Sequence, residues 1–118
     1  QDMNYRRIFW TINLVYSTKA DQLESICKDI ENYINESENF VQNPGQENFV
    51  RVTELGSSSI DLTILCYMDV IDYTQFSQVK QELIFAIMKA VENNGSDFAF
   101  PSSSIYIEND LNAKLINE

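Results

Sequence analysis

The chain has 118 residues and an apolar content of 44%, which bounds it to one domain with a single core. Eighteen acidic residues against eight basic ones give a formal charge of −10, which argues against nucleic acid or an anionic lipid surface as a partner. With no histidine and only two cysteines, zinc sites and Cys-His nucleophiles have no material to work with.

Arg7 to Ser17 alternates, with Ile8, Trp10, Ile12, Leu14 and Tyr16 on one face and mostly polar groups opposite, the pattern of a half-buried strand. Thr18 is placed to cap a helix whose apolar stripe is Leu23, Ile26, Cys27, Ile30 and Ile34. Asn43-Pro44-Gly45 supplies turn chemistry before a second strand from about Asn48 to Leu55. Gly56 and three serines then lead directly into Ile60, Leu62, Ile64, Cys66 and Met68, a second strict alternation, so these two strands are expected to form an antiparallel hairpin.

Asp72 with Gln75 forms a capping pattern for a second helix, in which Phe76, Val79, Leu83, Ile87 and Val91 recur at helical spacing and Asn94-Gly95 marks a left-handed C-terminal cap. Phe98 to Ile107 reads as a last strand, interrupted at Pro101, which cannot donate to a sheet ladder. The order β-α-β-β-α-β predicts an α+β fold of ferredoxin-like type, an antiparallel sheet with two helices on one face. Residues 1–108 are expected to form this domain and 109–118 a flexible tail.

The longest apolar run, Leu83 to Met88, is about a third of the roughly 20 residues needed to cross a bilayer, so this stretch of chain is expected to be soluble. No signal-peptide pattern is visible, and a first residue of Gln suggests a piece of a longer protein. Cys27 and Cys66 sit on apolar faces and read as free buried thiols, which fits a reducing, cytoplasmic setting.

Several groups invite a chemical reading. Gly56 with Ser57 and Ser58 exposes backbone N–H groups, yet it lacks the lysine and the following helix of a phosphate-binding loop, and a hairpin explains it better. Glu54 beside it has no second carboxylate with which to share acid–base work. Asp69 and Asp72 bracket a connection without the dense ligand pattern of a calcium loop. Phe98, Phe100 and Tyr106 read as core and subunit contacts, since the net charge opposes base stacking. Arg6 and Arg7 are either edge cations or salt-bridge partners for a preceding domain or a neighbouring subunit. No cofactor, metal or catalytic group is expected.

Tyr5-Arg6-Arg7-Ile8, Tyr16-Ser17-Thr18, Glu54-Leu55-Gly56-Ser57-Ser58-Ser59-Ile60 and Gly95-Ser96-Asp97-Phe98-Ala99-Phe100-Pro101 occur in an order and spacing that resemble the C-terminal α+β domain of the MscS family of mechanosensitive channels. The resemblance covers Arg6 to about Glu108. It implies a homo-oligomeric, heptameric ring around a hollow vestibule on the cytoplasmic side of the cell membrane, with membrane contact only through segments outside this sequence. It also implies that Ser103 to Glu108, with Ser103, Ile105 and Ile107 on one face, enters a small barrel shared by the subunits. The alternative reading is a free-standing ferredoxin-like sensor of a small metabolite.

Overall fold

In the computed structural model, which describes residues 5–42, 47–69 and 72–99, the chain runs β1 (Arg6–Val15), α1 (Ala20–Glu36), β2 (Phe49–Leu55), β3 (Ser59–Met68) and α2 (Tyr73–Asn93). The sheet has the order β1-β3-β2, with β3 antiparallel to both neighbours. The ten residues of β3 pair with β1 from Arg6↔Met68 to Val15↔Ser59. On its other side β3 pairs with β2 as far as Phe49↔Leu65. Beyond that, the segment after α1 takes over: Val41 N–H donates to Tyr67 O at 2.8 Å and Phe40 bridges Met68. The Asn48 side chain closes the gap, donating to Val41 O and accepting from Tyr67 N–H.

Alternation decides which side of the sheet is dry. Ile60, Leu62, Ile64, Cys66 and Met68 of β3 are all buried, together with Ile8 and Leu14 of β1. Against them pack Ile26, Ile30 and Ile34 of α1 and Val79, Leu83, Ile87, Ala90 and Val91 of α2, so both helices lie on one face. Each fully buried aliphatic side chain contributes on the order of 1.5–3 kcal/mol of transfer free energy. Trp10 and Ile12 are half-buried on the same side, and Cys27 and Leu23 flank the α1 stripe.

The termini of the helices are tied to each other at one end of the sheet. Gly95 has φ of 74°, Gly95 N–H donates to Glu92 O, and Ser96 N–H donates to Val91 O, the two bonds of a Schellman cap, as the Asn94-Gly95 pair predicts. The first helix begins differently from the expectation. Its N-cap is Lys19, whose N–H donates to Gln22 Oε1, and Thr18 is instead buried. The Thr18 hydroxyl bonds Val15 O at 2.6 Å and shares a 2.8 Å hydrogen bond with Ser96 Oγ, so the fold uses it to join β1 to the end of α2. Gln22 Nε2 donates to Asn94 O, and Asn94 Nδ2 donates to Asp29 Oδ2, completing the link between the helices. Asp72 does cap α2, accepting from Thr74 N–H.

Other differences are local. Tyr16 lies past the end of β1 and is exposed, because Tyr16 and Ser17 form the turn that Thr18 N–H closes on Val15 O. Thr53 is bulged out of register between Val52 and Glu54, and its hydroxyl meets Thr63 Oγ1 at 2.8 Å. The expected final strand is described only at its start: Phe98 bridges Leu14, Val15 N–H donates to Asp97 O, and Ala99 N–H donates to Asn13 O. These bonds add a partner to the outer edge of β1, the position the ferredoxin-like order assigns to a fourth strand. Phe100 to Ile107 and the tail lie outside the described residues.

Gly95→Ala forces a β-carbon into a left-handed backbone and to within 3.3 Å of Gln22 Nε2. The expected loss is about 1–2 kcal/mol, read as a lower urea midpoint with unchanged slope.

Candidate functional site

The residues singled out by the sequence fall at two opposite ends of the sheet. Arg6 and Arg7 begin β1 beside Met68 and Tyr67, whereas Glu54, Gly56, Ser57 and Ser58 lie at the other end, beside Ile60 and Asp61. The eight residue steps from Arg7 to Val15 separate these ends by roughly 26 Å at the usual strand rise. Phe98 belongs with the hairpin end, since Leu14 has Ile60 on one side and Phe98 on the other.

Each group has a defined local setting. Gly56 N–H donates to Ser59 O at 2.8 Å, and a β-carbon on Gly56 would approach that oxygen to 3.1 Å, so the tight reversal favours glycine. Ser57 and Ser58 stand exposed at the tip, and Glu54 is exposed before it. Phe98 is half-buried against the core. The two arginines part company: the Arg6 guanidinium reaches the helix side and lies 5.0 Å from the ring centre of Phe76 on α2, while Arg7 turns to the bare side and stacks over Phe9 at 5.2 Å. Phe100, Pro101, Ser103, Ile105 and Ile107 lie outside the described residues.

The bare side of the sheet holds what the sequence reading did not single out. Phe9, Leu65 and Phe49 form a continuous cross-strand row, bordered by Arg7 and by Arg51, whose guanidinium lies 4.7 Å from the Phe49 ring centre. Next to it, Thr11, Thr63 and Thr53 join hydroxyls, and beyond them Asp61 accepts hydrogen bonds from Asn13 and Ser59. Phe9 was hidden among the polar positions of an amphipathic strand; pairing its parity with that of Leu65 and Phe49 is the signal that reveals the row. The clefts beside α1 are open: one meets β2 at Leu23, Cys27 and Val52, the other meets α2 at Tyr33 and Ala86. Among the described residues no group of three or more metal-ligating side chains converges.

A model of the family described as "Mechanosensitive ion channel MscS, C-terminal" matches residues 8–98, most of the chain. The chain belongs to the MscS family. The matched region is the C-terminal domain of that family, which is one of ion channels and not of enzymes. An MscS family protein of Aquifex aeolicus, described as uncharacterized, is 38% identical over 105 residues, covering 89% of this chain and 28% of the relative. The low conductance mechanosensitive channel YnaI of Escherichia coli is 26% identical, covering 91% of this chain and 30% of its own length. The crystal structure of Helicobacter pylori MscS in its closed state superposes with a TM-score of 0.60 at 26% identity, covering 81% of this chain and 35% of that one. Arabidopsis thaliana MSL1 gives a TM-score of 0.74 at 16% identity over 85% of this chain and 35% of that one, a likeness of fold alone.

The chain thus spans about a quarter to a third of these relatives. No helix among its described residues is long and apolar enough to cross a membrane.

Both thiols of this MscS domain are free, and both are held protonated. Burial pushes Cys66 up to about 12, and burial followed by the Glu31 carboxylate pushes Cys27 up to about 11, from an ordinary 9.0. In the folded state the thiols therefore keep protons that the unfolded chain releases, so stability is full below about pH 9 and falls as pH rises toward 11. Urea titrations at pH 8 and pH 10.5 are expected to show the lower midpoint at the higher pH. Alkylation at pH 8 is expected to be far slower in the native than in the unfolded chain.

Proposed function

We propose that this domain is part of the wall of a cytoplasmic vestibule in a homo-oligomeric, tension-gated channel that releases ions and small solutes. The observation that carries this reading is the family match over residues 8–98 on a fold that superposes with Helicobacter pylori MscS. The domain itself senses no tension in this reading. It frames the space below the pore and holds the subunits together, and membrane-spanning segments elsewhere in the polypeptide do the gating. The acidic excess of the chain favours a cation-enriched vestibule.

The residues at the two ends of the sheet take different parts. Arg6, on the α2 side, anchors the domain to what precedes it, and Arg7, on the bare face, is left for a neighbouring subunit. At the far end, Phe98 starts a strand on the edge of β1 that soon runs out of donors. Val15 bonds Asp97 and Asn13 bonds Ala99, so the same register would put residue 101 at the next donor position, where a proline has no N–H. Pairing with β1 therefore ends near Pro101, and Ser103, Ile105 and Ile107 pass to a barrel shared with the other copies, in a heptameric ring. Without neighbours such a strand is an open edge.

The complete polypeptide, placed in bacterial membranes that lack their own mechanosensitive channels, is expected to give a conductance that opens with suction on a patch. Silence at tensions up to membrane rupture would overturn the reading. Removing residues 102–118 is expected to leave cooperative unfolding of the domain intact while reducing the ring to smaller species; loss of cooperative unfolding would place that strand in the domain's own fold instead.

A further inference from the structure

Among the described residues the sheet is covered by helices on one side only, and both outer surfaces of this two-layer slab carry apolar patches. On the bare side, Phe9 is 56% exposed at the head of the Phe9–Leu65–Phe49 row. On the outer side of the helix layer, α2 presents Ile84, Phe85 and Met88 at 39%, 49% and 50% exposure, neighbours at helical spacing. Water gains nothing from either surface, and contiguous exposed apolar groups of this kind mark contact sites.

Charge separates along the same direction. The three arginines of the chain all lie on strands, and Arg7 and Arg51 flank the phenylalanine row, each stacked on its ring. The carboxylates of the bare face, Glu54 and Asp61, stand away from that row at the hairpin end, where Asp61 is already bonded to Asn13 and Ser59. The helix layer is acidic on balance: α1 carries Asp21, Glu24, Asp29, Glu31 and Glu36 against Lys28, while α2, which bears the stripe, carries Glu82 and Glu92 against Lys80 and Lys89. One side of the slab is therefore apolar with arginines, and the other apolar beside carboxylates.

We propose that the bare sheet face of one copy is covered by the helix layer of a second copy, with the Ile84–Phe85–Met88 stripe of α2 seated on the Phe9–Leu65–Phe49 row. Two different patches on opposite sides of one subunit make a head-to-tail contact, and repetition of such a contact closes a ring when the rotation between copies allows it, whereas a two-fold dimer needs one self-complementary patch. Arg7 and Arg51 then meet the acidic layer of the neighbour, which disfavours stacking of sheet face on sheet face, where the arginines of both copies would repel. The proposal rests on the ring reading above and names the surfaces that would build it.

The test uses the complete polypeptide in membranes, with Phe9→Cys in one preparation and Phe85→Cys in another. Both side chains are exposed, so neither change empties the core. A short bismaleimide is expected to give a covalent dimer only when the two variants are co-expressed, and a ladder ending in a closed ring when both changes are in one chain. Each single variant alone, with its native Cys27 and Cys66, supplies the background. Cross-linking of Phe9→Cys to itself would overturn the proposal in favour of a two-fold contact. Absence of the mixed cross-link, while a lysine-directed reagent still captures the wild-type ring, would overturn the contact and leave the ring standing. A wild-type protein that yields no ring at all would overturn both.

Discussion

The pairing of β3 on both sides is the constraint from which the rest of this domain follows. Every residue from Ser59 to Met68 faces β1, and the opposite side is filled first by β2 and then by the Phe40–Val41 segment with the Asn48 side chain. A strand bonded along both edges has only its two faces left to choose between. Its alternation puts Ile60, Leu62, Ile64, Cys66 and Met68 on the same one. That face is where α1 and α2 lie, because their apolar stripes need an apolar surface to pack against.

Both helices lie on that one side, so among the described residues no helix covers the second face. Its composition is mixed: phenylalanines beneath arginines, a run of threonine hydroxyls, and an Asp61 satisfied by Asn13 and Ser59. Such a surface tolerates water in the lone domain and still has apolar area to give up in an assembly. In the assembly proposed above, that balance would let the domain keep a core of its own and still offer a surface to a neighbouring copy.

At the hairpin end the fold is closed by polar groups. Thr18, Ser96, Gln22, Asn94 and Asp29 bind β1, the start of α1 and the end of α2 into one hydrogen-bonded link. Thr18 and Ser96 are buried and so depend on each other, because either hydroxyl left alone there would lose its water without replacement. The link also fixes where the chain leaves α2 and meets the edge of β1 at Phe98, the point from which the segment toward neighbouring subunits departs in the proposed assembly.

Local pattern by itself determined the elements and their dry faces: the alternation at Ile8 to Leu14 and Ile60 to Met68, the helical spacing of Ile26, Ile30 and Ile34 and of Val79, Leu83, Ile87 and Val91, and the glycine stop at Gly95. These signals are legible because periodicity and positive φ are properties of a few consecutive residues. The use of Thr18 as a buried partner rather than a cap was not legible, because its partner Ser96 lies 78 positions away. The row formed by Phe9, Leu65 and Phe49 and the separation of the hairpin from the arginines at opposite ends were likewise decided only in three dimensions. Strand order and register bring distant residues together, and no window of neighbouring residues contains that information.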